Sequence, residues 1–293
     1  MKLKMFLSII LIILNGSISQ GQNFKPSKDK LYQSLIGEVH ILTLFVDTQN
    51  EYWEDDEKIY YKGQLTKSQD WLVDEAANYD QELEFNNETF FVDNYETIYI
   101  EKVKRGDNPK GTISSVMDEL GYDDFDHFLD RNNFDFKEQK LKLLLFVKSF
   151  DRSHAYNYFS NSDLDVSIVY CKSSYGMLTD HKVISHEVLH QFGAWDLYQG
   201  QSQTQKNAKR AKELFPNSIM INTFTNKKLE VDDLTAWRVG WHFDMDDEYM
   251  DFDPAKSRGK PTAKERSYKK TKSDGIKFDL KSLRRKKKEK SDN

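Results

Sequence analysis

Two histidines four positions apart with a glutamate beside the first, in His186-Glu187-Val188-Leu189-His190, are residues that can hold a metal ion and supply a base for the water on it. On a helix, residues four apart share a face, so both imidazoles reach one ion while Glu187, one step round, reaches the water. The chain continues Gln191-Phe192-Gly193-Ala194-Trp195-Asp196, completing the pattern H-E-x-x-H-x-x-G-x-x-D. An uninterrupted helix would carry these later residues away from the ion. Gly193 tolerates a positive φ, so it is a natural residue to end the helix and turn the chain back. Asp196 is then placed as third ligand. Two His and one Asp leave the fourth tetrahedral position to water, as in catalytic rather than structural zinc. Zinc brings that water's pKa toward neutrality, and Glu187 takes its proton as general base before passing it to a leaving amine. The chemistry is metal-assisted hydrolysis. An Asp ligand also cancels one unit of the ion's charge, so the water should be less acidic than in a three-His site.

A second stretch, Pro216-Asn217-Ser218-Ile219-Met220-Ile221-Asn222, places a methionine thirty positions after His190. With these two motifs the chain resembles the metzincin clan of zinc endopeptidases, and specifically its snapalysin-like branch, in which the third ligand of the same motif is Asp. The resemblance implies that Ser218-Ile219-Met220 belongs to a Met-turn, with Met220 flooring the site beneath the zinc ligands. It also implies an α+β fold: a twisted mixed β-sheet with packed helices, the zinc helix at the cleft, and a small C-terminal subdomain after the Gly193 bend. One departure stands out. Some metzincins carry, two places after the Met, a Tyr credited with stabilising the oxyanion, and here that place is Asn222.

Other ligands compete on paper. Glu213 is the main rival to Asp196, because thermolysin-like H-E-x-x-H helices take a Glu from a helix about twenty residues downstream. The region lacks their N-E-x-x-D pattern, and Asp196 ranks first. His181 precedes His186 by five positions and faces elsewhere, as an exposed residue at the helix start; His40, His127, His154 and His242 have no ligand spacing. The acidic clusters Asp55-Asp56-Glu57, Asp123-Asp124-Asp126 and Asp246-Asp247-Glu248 offer oxygens suited to calcium, but none has the loop spacing, so a calcium site is not located.

The elements that must position the site follow from apolar patterning. Residues 37–46 read as a strand buried on both faces, and 141–147 as another, almost wholly apolar and central. Strands are also expected at 97–103 and 164–170, and helices at 68–83 and at 114–129, the latter broken near Gly121. The zinc helix should run from about Asp180 to Phe192 with Thr179 as its N-cap. Residues 199–209 read as a polar surface loop, and 231–239 as a last helix. Cys171, the single cysteine, is expected as a buried strand residue, and it excludes an intramolecular disulfide.

The ends differ from the middle. Residues 1–21 have the order of a secretory signal peptide: Lys2 and Lys4, a short apolar run, then small and polar residues. A linker, 22–36, would lead into a catalytic domain over 37–250, followed by a basic disordered tail over 251–293. From Lys256 onward the chain carries +11, which leaves −16 on the rest. Such a tail is too charged to bury; it is either solvated or a basic arm for anionic surfaces. The run 284–290 has no aromatic residue, which argues against sequence-specific nucleic-acid recognition. The expectation is a secreted or periplasmic zinc endopeptidase acting on protein or peptide substrates. The alternative is a secreted, non-catalytic metal-binding or adhesion module with the same fold, in which Glu187 would have no task.

Overall fold

Gly37–Asp47 (β1) and Lys140–Phe150 (β4) are too apolar to leave a face in water, and they pair in parallel at the centre of a sheet. The computed structural model describes residues 34–87, 97–103, 108–136, 138–157, 164–172, 178–200, 202–242 and 246–254. The expected leader, residues 22–33 of the linker, and the tail beyond 254 lie outside the described residues. Leu83–Asn86 (β2) and Thr97–Tyr99 (β3) both pair in parallel with β1, at its beginning and its end. Val166–Lys172 (β6) runs parallel to β4, and His154–Tyr156 (β5) closes the order β2-β1-β4-β6-β5 as an antiparallel edge. The fold is thus mixed α+β on a six-stranded, mostly parallel sheet.

Alternation along the strands sorts the core into two layers. Val39, Ile41 and Phe45 of β1 point the same way as Leu144 and Phe146 of β4, toward Asp55–Ala77 (α1) and His181–Gln191 (α4). Leu42, Leu44 and Val46 point the other way with Leu143, Leu145 and Val147, toward Pro109–Glu119 (α2) and Phe125–Arg131 (α3). Gln205–Leu214 (α5), Asp233–Val239 (α6) and a 3₁₀ turn over Asp247–Phe252 follow α4 in the chain and join its layer through Ala211, Leu234 and Phe252. Among the described residues no helix is long and apolar enough to cross a membrane.

Several expectations are corrected. The helix expected at 68–83 begins at Asp55 and ends at Ala77, with Leu83 already in β2. The stretch 199–209 is not wholly loop, because Thr204 accepts from the backbone N–H of Asn207 (3.1 Å) and starts α5 at Gln205. The strand at 97–103 stops at Tyr99, and the last helix begins at Asp233 behind its cap Asp232. Cys171 is buried on β6, as expected. The acidic clusters sit at helix starts, where carboxylates meet free N–H groups: Asp55, Asp56 and Glu57 in the first turn of α1, Asp124 capping α3, and Asp246 capping the 3₁₀ turn.

Candidate metal centre

The helix carrying the motif is fixed to its surroundings at each level. At its start, the cap is Asp180, which accepts from the N–H of Lys182 (3.1 Å), rather than Thr179. Thr179 is drawn away because its hydroxyl donates to the Tyr170 carbonyl (2.6 Å) and its N–H to that of Cys171 (3.0 Å), tying it to the end of β6. His181 is half-buried rather than exposed, with its N–H donated to Gln64 of α1 (3.0 Å). Midway, the Ser68 and Ser185 hydroxyls of α1 and α4 meet at 2.8 Å, and Ser167 of β6 donates to the Glu187 carbonyl (3.0 Å). At the end, Gln191 donates to the Leu143 carbonyl of β4 (2.8 Å).

Gly193 then does what its position demands. It has φ +94°, its N–H donates to the His190 carbonyl (3.0 Å), and that of Ala194 reaches back to Leu189 (3.1 Å), the paired bonds of a Schellman ending. Arg238 of α6 holds the bend, donating Nε to the Gly193 carbonyl (2.8 Å) with its guanidinium over the Trp195 ring. The turned chain brings Asp196 back to the helix. Its Oδ1 lies 3.0 Å from His190 Nε2 and 3.3 Å from His186 Nε2, and the two Nε2 atoms are 3.1 Å apart.

The protons identify what this triangle can accept. His186 Nδ1 faces the Ile219 carbonyl (3.1 Å) and His190 Nδ1 the Ala194 carbonyl (2.9 Å). Carbonyls only accept, so each Nδ1 donates, and a ring in its neutral form turns an Nε2 lone pair inward. Two lone pairs and a carboxylate oxygen converge, an arrangement that a cation relieves. Ligands of a tetrahedral zinc at ~2.0–2.1 Å stand roughly 3.3 Å from one another, close to the spacing found. Burial opposes a charged imidazole at His190, yet the Asp196 carboxylate outweighs it and pushes the pKa up to about 9, so a proton competes with a metal for the His190 Nε2 lone pair. Asp196, despite its own burial, is held well below the usual carboxylate range by the two rings.

Glu187 stands apart from that triangle. It is buried, its Oε2 has no hydrogen-bond partner, and burial pushes its pKa up against the pull of His186 and His190. Among the described residues, the group that can hold a metal ion is His186, Glu187 and His190, with ligand atoms within 4.8 Å of one another. Asp196 completes a tighter set than Glu187 does, since it touches both imidazoles at hydrogen-bonding distance. Met220 is fully buried in the same core cluster as Ile184, Val188 and Leu189 of α4. Its carbonyl accepts from the N–H of Leu197 (3.0 Å), and its own N–H donates to Ser218 Oγ (3.0 Å), which ties this stretch to the chain beside Asp196.

Rivals fall away. Glu213 is an exposed residue of α5, 3.8 Å from Lys209 one turn before it, and takes no part. His40 packs against Phe134, while His154 on β5 lines the cleft rather than the triangle. The Asn222 side chain is occupied by its own loop, accepting from the N–H of Phe224 (2.9 Å). Three contributors carry no signal in the sequence. The Ile219 and Ala194 carbonyls that orient the imidazoles are backbone atoms without a residue signature, and Arg238 lies far along the chain.

Among the described residues, two cavities open on the site. The smaller, about 260 Å³, is walled by Thr179, Val183, Ile221 and Phe224; the larger, about 780 Å³, runs along β5 to Trp195 and Asp253. Both reach His186 and Glu187. No protein-family model, no curated protein and no solved structure matches the chain.

Proposed function

We propose that this protein is a secreted zinc endopeptidase with a metzincin-like site, in which His186, His190 and Asp196 hold the ion and Glu187 is the base. The observation that carries the reading is the triangle of acceptor atoms at 3.0–3.3 Å, with both Nδ1 protons already committed to carbonyls. Zinc bound there would supply a water of near-neutral pKa and polarise the scissile carbonyl.

The chain's own groups account for the remaining steps. The unpartnered Glu187 Oε2 accepts the proton of the attacking water and returns it to the departing amine nitrogen. Its raised pKa suits both halves of that exchange, and burial keeps bulk water from competing. A purely structural metal would leave this buried carboxylate without a purpose, which favours catalysis over the adhesion-module alternative. An extended peptide lying in the larger cavity would run past His154, Ala155 and Tyr156 of β5, which line it. The leader-like N-terminus supports export, and Met220 supports the floor of the site through its turn.

The test is metal content and peptide cleavage, followed by mass spectrometry, before and after chelation and with zinc restored. About one zinc per chain, loss of cleavage on chelation and its return on reloading are expected. Glu187→Gln should keep the zinc and lose the cleavage. Equal cleavage by Glu187→Gln and the wild type would sink the enzymatic reading.

A further inference from the structure

Arg152, Ser153, His186, Glu187 and Tyr198 line both cavities. A bond held at the metal therefore lies at the junction, with its flanking residues directed into the two spaces. Arg152 is the cation among these five. Its backbone N–H is fixed by the Asp151 carboxylate (2.7 Å), and its guanidinium lies over the Tyr198 ring, 4.6 Å from the ring centre. Among the described residues no carboxylate pairs with that guanidinium. Other arginines of the same layer are used: Arg210 bridges Glu248 and Asp251, and Arg238 is committed to Gly193 between two tryptophans. A planar fork laid on an aromatic ring, near enough to Glu187 to feel its charge but hydrogen-bonded to no carboxylate among the described residues, is preorganised to take a carboxylate by two parallel hydrogen bonds.

We propose that Arg152 selects substrates with an acidic residue next to the scissile bond, by binding that residue's side-chain carboxylate at the junction of the two cavities. The inference rests on the endopeptidase reading and adds a substrate class to it.

The experiment uses the zinc-loaded full chain and matched fluorogenic peptides that differ only in Glu, Gln or Lys at the positions flanking the cleavage site. At one of these positions wild type should favour Glu over Gln by about tenfold in kcat/KM, as for a charge-assisted hydrogen bond with partial exposure. The ratio should shrink as salt is raised. Arg152→Ala should bring it close to one, and Arg152→Glu should turn the preference toward Lys, a reversal that a structural defect does not produce. Cleavage by wild type with no charge preference, a preference that survives in Arg152→Ala, or an equal loss on all peptides each overturns the inference and leaves the hydrolase standing. No cleavage of any peptide by zinc-loaded wild type would bring down both.

Discussion

On the side of the sheet that carries α2 and α3, the strands present Leu42, Leu44, Leu143, Leu145 and Ile168 to Val116, Met117 and Phe128, with His40 as a polar residue at the margin. On the side that carries α4, the same strands meet His186, Glu187, Ser185 and Gln191, while α1 adds Ser68, Gln69 and Glu75, all buried. The first layer is held by area and packing, which are indifferent to direction. In the second, polar groups need partners at set angles, and each bond that satisfies one also orients the site. Stability and chemistry are thus divided between two faces of one sheet, and substitutions on each should report separately.

The largest separation is expected between Glu187→Gln and Phe128→Ala. Removal of the base should lower kcat by about 10²–10⁴-fold with no loss of stability, since a buried charge is replaced by a neutral amide. Phe128 is fully buried, so its truncation should cost about 3–5 kcal/mol of unfolding free energy and leave the zinc affinity of the folded protein as it was. Denaturant titration and metal competition on both variants check this. A Phe128→Ala protein that folds but has lost its metal would break the division.

A smaller effect falls on both quantities at once. Ser218 Oγ donates to Asp232 (2.6 Å) and accepts from the N–H of Met220 (3.0 Å), and between them the Ile219 carbonyl receives His186 Nδ1. Ser218→Ala should weaken zinc binding by about 10–100-fold, as for other groups that orient a ligand from behind. It should also destabilise by about 1–3 kcal/mol by leaving buried partners unmatched. Zinc affinity unchanged by this substitution would show that the turn does not orient His186.

The two faces were also legible to different degrees. β1 and β4 announce themselves through apolar runs, and the motif with Gly193 locates Asp196, because ligand spacing and a positive φ are constraints on residue type. β2 and β5 span four and three residues, too few for any period; they are strands because β1 and β6 offer them edges. α5 buries only Ala208 and Ala211, residues too small to mark a hydrophobic stripe. The first half of α1 is obscured by Ile59, whose side chain is 69% exposed and breaks the inward pattern. Arg152 was not legible because nothing in a linear chain tells an arginine beside a cleft from one on an open surface.

The finest test concerns Glu75, a buried carboxylate of α1 on the site face that is not part of the site. Its Oε2 accepts from the N–H of Val231 (2.7 Å), which fastens the entry to α6. Burial pushes its pKa up, and the neighbours Glu230 and Asp74 add to this, while the Val231 bond and Lys228 pull the other way without prevailing. With the folded pKa above the unfolded one, the native state binds the proton more tightly. The stabilising contribution is therefore present below the ordinary carboxylate range and lost as pH rises through the folded value. Glu75→Gln keeps an oxygen for Val231 and removes the charge. The melting temperatures of variant and wild type should converge near pH 4, with the variant higher at pH 7–8. A variant that melts lower at neutral pH would mean that the buried carboxylate is a net asset. Polar groups on this face would then be contributing strength as well as direction, and the contrast with the apolar face would narrow.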